Sequence, residues 1–120
     1  MAQVRSHKDL DVWRVAVRLA KDVYAITQGF PKEEQFGLAL QLRRSAVSIP
    51  SNIAEGAAPR STKELLHFLY MAAGSASELD TQLEIARVVA VDRDKDLLHL
   101  QAETERVGMM LRALIKSLKS

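Results

Sequence analysis

The chain of 120 residues contains no cysteine, which excludes disulfide bonds, thiolate nucleophiles and thiolate zinc sites. Aromatic residues make up only 5% of the sequence, so aliphatic side chains must supply most of the core packing. Only 3 prolines and 5 glycines are present, and few positions therefore interrupt a helix. The N-terminal stretch has no apolar run long enough for a signal peptide or a membrane span. We therefore expect a cytoplasmic protein with no membrane partner.

The remaining composition is that of a globular protein. Hydrophobic residues account for 48% and charged residues for 27%, which indicates one folded domain over residues 1–120. The 17 basic and 15 acidic residues give a formal net charge of +2. A balance this mild allows polyanion binding through local patches but does not require it.

Apolar residues recur at spacings of three and four along almost the whole chain, and no segment alternates as a strand would. This periodicity predicts four helices, at about 9–28, 33–56, 62–90 and 94–118. The turn between the third and fourth helices is short, which favours antiparallel neighbours. We predict an all-α, antiparallel up-and-down four-helix bundle. Its second helix should kink near Pro50, because proline removes an amide donor and crowds the preceding turn.

Several residues have the chemistry of helix ends. Gly29 fits the C-cap of the first helix. Ser61 followed by Glu64 has the form of a capping box at the start of the third helix. Asp92 or Asp94 should cap the fourth helix.

Two segments have the carboxylate-x-x-His spacing of di-iron bundles, Glu64 to His67 and Asp96 to His99. In both, the intervening leucines belong to the inward seam, so the histidines should face outward. Ser45, Ser48 and Ser51 have no histidine placed to activate them. The glycines are scattered and form no phosphate-binding loop. We predict a non-enzyme without a metal site or cofactor.

The predicted second helix carries a polar stripe that can be interpreted as a structural network. In this interpretation Arg44 pairs with Glu78 of the third helix, because an arginine beside a core is rarely left unpaired. The predicted structural polar network consists of Arg44, Ser48, Asn52, Glu55, Glu78 and Gln82.

Other basic residues are candidates for phosphate contacts. The predicted nucleic-acid-binding residues are Arg43, Arg60 and Lys63 near the junction of helices 2 and 3, and Arg14, Arg18 and Lys21 on helix 1. Solvation of a charged surface would explain them equally well. Arg112, Lys116 and Lys119 lie near the end of helix 4, where cations complement the helix dipole. No aromatic residue interleaves with these cations in the sequence, which argues against base stacking.

The segment from Phe30 to Gly56, FPKEEQFGLALQLRRSAVSIPSNIAEG, closely resembles the signature of the 23S rRNA intervening-sequence proteins, also called the four-helix bundle protein family. The resemblance extends back to Leu10–Trp13 and forward through the run GSASELDTQL. Ser45 stands where the family more often has alanine, and Asp80 where it more often has glutamate. Residues 89–93 lack the Gly-Tyr-rich turn common in the family.

The resemblance implies a four-helix bundle that assembles into a ring, commonly a pentamer. A ring agrees with the apolar face of the first helix, which is wider than one bundle seam needs. The family is named for reading frames within large-subunit rRNA insertions. It is also distantly similar to the accessory variability protein of diversity-generating retroelements, which works with a reverse transcriptase and nucleic acid.

Two functional hypotheses follow from the sequence. The first is a non-enzymatic, ring-forming RNA-binding or ribonucleoprotein accessory protein that acts through multivalent basic patches. Its partners would be further copies of itself and structured RNA or a nucleic-acid enzyme. The alternative is a homo-oligomeric protein-interaction scaffold that does not bind nucleic acid.

Overall fold

The computed structural model describes residue 7 and residues 10–35, 37–58, 61–89 and 91–120. The described residues form four α-helices: α1 (Asp11–Thr27), α2 (Leu38–Gly56), α3 (Thr62–Val89) and α4 (Asp94–Lys119). Single 3-10 turns, Lys32–Glu34 and Val91–Arg93, precede α2 and α4. No strand occurs in the described ranges, and the predicted all-α four-helix class is confirmed. The predictions that concern Arg60, the start of helix 1 at residue 9 and the end of helix 3 at residue 90 lie outside the described residues.

The four helices pack around one core in the cyclic order α1, α2, α3, α4. Each helix packs against its two neighbours in this order, and among the described residues no Cα atoms of α1 and α3, or of α2 and α4, lie within 8 Å of each other. The bundle measures 45 × 21 × 18 Å. Opposite corners of the bundle therefore belong to α1 and α3. The antiparallel order and the kink near Pro50 stay predictions; Pro50 itself is buried within a helix that continues through it.

The core follows the predicted spacing closely on α3 and α4. Leu65, Leu69, Ala72, Ala76, Leu79, Leu83 and Ala86 are all buried on α3, as are Leu97, Leu100, Thr104, Val107 and Leu111 on α4. The Thr104 hydroxyl is accommodated in this apolar seam because it donates a hydrogen bond to the carbonyl of Leu100, at 2.7 Å. Aliphatic side chains thus supply the packing that the scarcity of aromatics predicts.

The predicted start of helix 2 at residue 33 is wrong. Glu33 and Glu34 belong to the 3-10 turn, and α2 begins at Leu38. The side-chain amide of Gln35 donates hydrogen bonds to the carbonyls of Thr27 and Phe30, at 3.0 and 2.9 Å. The Gln35 side chain thus bonds to the last carbonyl of α1, which also accepts from the N–H of Phe30, and to a carbonyl of the connection itself. These bonds hold the connection in a tight turn.

The ends of α1 and α4 also differ from prediction. Gly29 is not a left-handed cap, because no described glycine has a positive φ. Instead its carbonyl accepts a 2.7 Å hydrogen bond from Arg93, and any side chain at Gly29 would collide with that guanidinium. Neither Asp92 nor Asp94 caps α4 through its side chain; Arg93 occupies the N-cap. The Arg93 contact ties the end of α1 to the start of α4.

The predicted capping box at α3 is present in its amide half. The backbone N–H of Glu64 donates to the Ser61 hydroxyl at 3.2 Å. The same hydroxyl lies 3.3 Å from a carboxylate oxygen of Glu64, to which it can donate its proton. One serine thus serves an early amide of the helix and a carboxylate near the positive end of the helix dipole.

Candidate nucleic-acid interface

A polar cluster joins α2 to α3, but its central residue is Ser45 rather than Arg44. The buried Ser45 hydroxyl lies 2.7 Å from a carboxylate oxygen of Glu78 and 2.8 Å from the side-chain amide of Gln82. The contacting atom of Gln82 is its side-chain oxygen, so the single proton of Ser45 is donated to one of these two oxygens. The predicted pairing of Arg44 with Glu78 is wrong: Arg44 faces solvent and has no polar partner in the described part of the chain.

Two other members of the predicted network bond within their own helix. Ser48 donates to the carbonyl of Ser45 and Asn52 donates to the carbonyl of Ser48, each at 2.9 Å. These side chains flank the buried Pro50, where the helix has one amide donor fewer than elsewhere. They therefore belong to α2 itself rather than to the contact between helices.

Arg43 lies in the α1–α2 contact. Its Nε donates to the Thr27 hydroxyl at 2.8 Å, and a terminal nitrogen lies 3.3 Å from the side-chain oxygen of Gln35. Its guanidinium carbon is also 5.2 Å from the ring centre of Tyr24. Several donors of this arginine are thus engaged within the fold, while Arg44 next to it is free. Adjacent positions on one helix point in different directions, and the sequence interpretation exchanged their roles.

The remaining predicted phosphate contacts are dispersed. Arg14, Arg18 and Lys21 are exposed on α1, where Arg14 forms a surface ion pair with Asp11 at 3.0 Å. Lys63 is exposed in the first turn of α3. Because α1 and α3 occupy opposite corners of the bundle, one protomer does not gather these cations into a single surface. Arg60 lies outside the described residues.

A groove between α3 and α4 brings cations and an aromatic ring together. It has a volume of about 590 Å³. Its walls are formed by Tyr70, Ala73, Gly74, Ser77, Arg112, Ile115, Lys116 and Lys119. The groove is open because Ala73, Gly74 and Ser77 on the α3 wall carry only small side chains or none, while long cationic side chains line α4. A volume of this size is within the usual range of ligand sites.

Tyr70 is the residue that the sequence interpretation missed. The ring is 51% exposed. The Lys119 ammonium lies 3.2 Å from the phenolic oxygen and 5.9 Å from the ring centre. The two residues are separated by 49 positions, so only the pairing of α3 with α4 reveals their proximity. The one signal in the sequence that could have identified this groove is a tyrosine on a helix whose neighbouring helix ends in lysines.

A second cluster lies between α1 and α4. Asp22, His99 and Glu103 each offer a ligand atom, and these three atoms lie within 4.8 Å of one another. The imidazole of His99 contacts the carboxyl group of Glu103, one helical turn further along α4. Burial, followed by the neighbouring carboxyl group of Asp22, raises the pKa of Glu103, whereas His99 acts in the opposite direction. The fold therefore places the carboxyl groups of Asp22 and Glu103 close enough to interact directly.

The α3–α4 surface nearer the connecting turn carries a mixed-charge network. Arg87 donates to Asp94 at 2.8 Å and to Glu84 at 3.2 Å, and Asp94 together with Glu84 raises the pKa of Arg87. Gln101 donates to Glu84 at 3.1 Å. Most of these charges are exposed, so the network contributes little stability.

Fold and surface together define an all-α bundle protein with a basic, aromatic-containing groove. No helix in the described ranges is both long and apolar enough to cross a bilayer. A sequence profile of the 23S rRNA-intervening sequence protein family matches residues 8–113, and the chain belongs to this family.

The fold is shared with a solved structure from Bacteroides thetaiotaomicron, a protein of unknown function from the S23 ribosomal protein family. The two chains are 20% identical and superpose with a TM-score of 0.78, over 88% of this chain and 98% of the other. At this identity the similarity establishes the fold alone. Among curated proteins, none is similar enough to this chain to count as a match.

Proposed function

We propose that this chain is a non-enzymatic, RNA-associated protein that binds the phosphate backbone of RNA through the α3–α4 groove. The observation that carries the proposal is the convergence of Arg112, Lys116 and Lys119 beside the exposed ring of Tyr70. Cations attract the backbone without sequence preference, and an aromatic face can stack on an unpaired base. The name of the family, which refers to intervening sequences of 23S rRNA, supports RNA as the polyanion.

The mechanism we propose is multivalent. One groove offers three cations, too few for tight binding by themselves. A ring of protomers, such as a pentamer, would present several grooves to one RNA and convert later contacts into intramolecular ones. The exposed stripe of Arg14, Arg18 and Lys21 on α1 is a second proposed source of phosphate contacts.

The test is a titration of a fluorescently labelled RNA hairpin with a single-stranded loop, at two salt concentrations. We expect binding that weakens steeply with salt, by roughly 2 in log-log slope per protomer, given about 0.7 for each single-strand phosphate neutralised. Replacing Arg112, Lys116 and Lys119 by glutamine should abolish most of this slope. Tyr70→Ala should weaken loop binding by about 1–3 kcal/mol with little change in slope.

The comparison variant is the triple replacement of Arg14, Arg18 and Lys21 by glutamine, which tests the second proposed source of phosphate contacts. Both triple variants remove three positive charges, so an effect of net charge alone would weaken RNA binding equally. A larger loss of RNA affinity in the α1 variant would indicate that the RNA interface lies on α1 and not in the α3–α4 groove. Failure of the wild-type protein to bind the hairpin at low salt would refute the RNA proposal.

The alternative function is a homo-oligomeric scaffold for other proteins. Exposed apolar side chains at the end of α3 favour it, since Ile85, Val88 and Val89 are 50%, 74% and 53% exposed. Such an interface would be insensitive to salt. Co-purification of a stoichiometric protein partner in high salt, without RNA, would favour this function.

A further inference from the structure

The α1–α4 cluster combines the donor types of a transition-metal site. Asp22 comes from α1, whereas His99 and Glu103 are one turn apart on α4, so that both can reach the same point. About 3.4 Å separates the ligand atoms around a tetrahedral Zn²⁺ ion with bonds of roughly 2.1 Å. The three ligand atoms lie within 4.8 Å of one another. Rotamer changes that move these atoms by about 1 Å would bring them to the spacing that a Zn²⁺ ion requires.

The charges of the cluster favour a cation. Two carboxylates face one imidazole, and no lysine or arginine of the described chain forms an ion pair with Asp22 or Glu103. The side chain of Glu103 is only 22% exposed, whereas that of His99 is 63% exposed. The carboxylates are thus partly shielded from water, while the cluster remains open for an ion to enter and retain water ligands.

We propose that Asp22, His99 and Glu103 bind a divalent transition-metal ion of the Zn²⁺ type, with water in the remaining positions. An imidazole ligand favours Zn²⁺ over Mg²⁺, which prefers an all-oxygen shell. This site differs from the Asp96–His99 spacing noted in the sequence, since Asp96 lies 4.0 Å from Arg93 instead.

A metal ion at this position would link α1 to α4. These helices are brought together otherwise by their apolar seam and by the Arg93 contact with Gly29. An ion that binds the folded state but not the unfolded state stabilises the fold by mass action, and this stabilisation rises with ion concentration. The proposed site is therefore a metal-dependent clamp for the first helix.

The experiment is a calorimetric titration of the full-length, tag-free protein with ZnCl₂, in parallel with thermal unfolding. We expect one Zn²⁺ per chain and a higher Tm with Zn²⁺. His99→Ala should weaken binding at least about tenfold, because even losing a residue that only supports a ligand costs about 10–100-fold. Glu103→Gln should remove the response of the Tm to Zn²⁺, because an amide oxygen is a much weaker ligand than a carboxylate.

The controls are His67→Ala and Glu105→Gln, which alter an exposed histidine on α3 and an exposed carboxylate on α4 outside the cluster. Both variants should bind Zn²⁺ like the wild type. The proposal is overturned if wild-type protein shows no saturable binding of one ion, if His67→Ala weakens binding as much as His99→Ala, or if Mg²⁺ binds as tightly as Zn²⁺. None of these outcomes bears on RNA binding by the groove.

Discussion

At the scale of single residues, Ser45 and Arg44 show how one position along a helix changes a role. Ser45 is buried and shares a hydrogen-bonded cluster with Glu78 and Gln82, whereas Arg44 points to solvent. The sequence contained a hint, since Ser45 stands where the family more often has alanine. Periodicity identifies a face about 100° wide and does not resolve which of two adjacent residues meets the neighbouring helix.

This difference predicts opposite results for two substitutions. Ser45→Ala should lower the free energy of unfolding by about 1 kcal/mol, because it removes the hydroxyl that contacts the side chains of Glu78 and Gln82. For a domain of this size the Tm should fall by about 4 °C. Arg44→Lys should leave thermal stability unchanged, within about 0.5 kcal/mol. Thermal unfolding by circular dichroism measures both, and a clear loss of stability in Arg44→Lys would restore the sequence interpretation.

At the scale of elements, Arg43 joins α1 to α2 through a geometry that lysine cannot reproduce. Its guanidinium contacts the Thr27 hydroxyl, the Gln35 amide and the Tyr24 ring at once. Arg43→Lys keeps the charge but lacks the planar guanidinium, whose several N–H donors make these contacts. We therefore expect the free energy of unfolding to fall by about 1–2 kcal/mol. Arg18→Lys on the exposed face of α1 is the matched control and should be neutral. If Arg43→Lys is stable and RNA affinity falls instead, Arg43 contacts phosphate as the sequence predicted.

The helices were largely predictable from the sequence, and the groove was not, for one physical reason. A helix is encoded by neighbours three and four positions apart, so the seams of α3 and α4 follow directly from the spacing of their leucines. The predicted start of α2 lies too early, because residues 32–34 form a 3-10 turn and the Gln35 side chain bonds back to the carbonyls of Thr27 and Phe30. The pairings Tyr70 with Lys119 and Asp22 with His99 join residues on different helices, and periodicity contains no information about them.

At the scale of the whole molecule, the corner formed by α1 and α2 leaves apolar surface uncovered. Val17 and Tyr24, two turns apart on α1, are 41% and 44% exposed, and Val47 on α2 is 40% exposed. Tyr24 and Val47 line the same shallow pocket, together with Leu40. The sequence predicted a face of the first helix wider than one seam needs, and this is the surface that we expect to meet a second copy in a ring.

The ring hypothesis predicts that charge at this corner dissociates the assembly without unfolding the bundle. Light scattering of the wild-type protein should give a multiple of the 13.4 kDa chain mass. Val17→Glu combined with Val47→Glu should reduce it to one chain, because each buried carboxylate would lose its hydration without gaining a partner. Val88→Glu, at a position 74% exposed near the end of α3, is the control and should leave the mass unchanged. A monomeric wild type would refute the ring, and dissociation by Val88→Glu alone would move the interface to α3. Since the multivalent mechanism needs several grooves on one particle, the dissociated variant should also lose most of its affinity for the RNA hairpin while each groove remains intact.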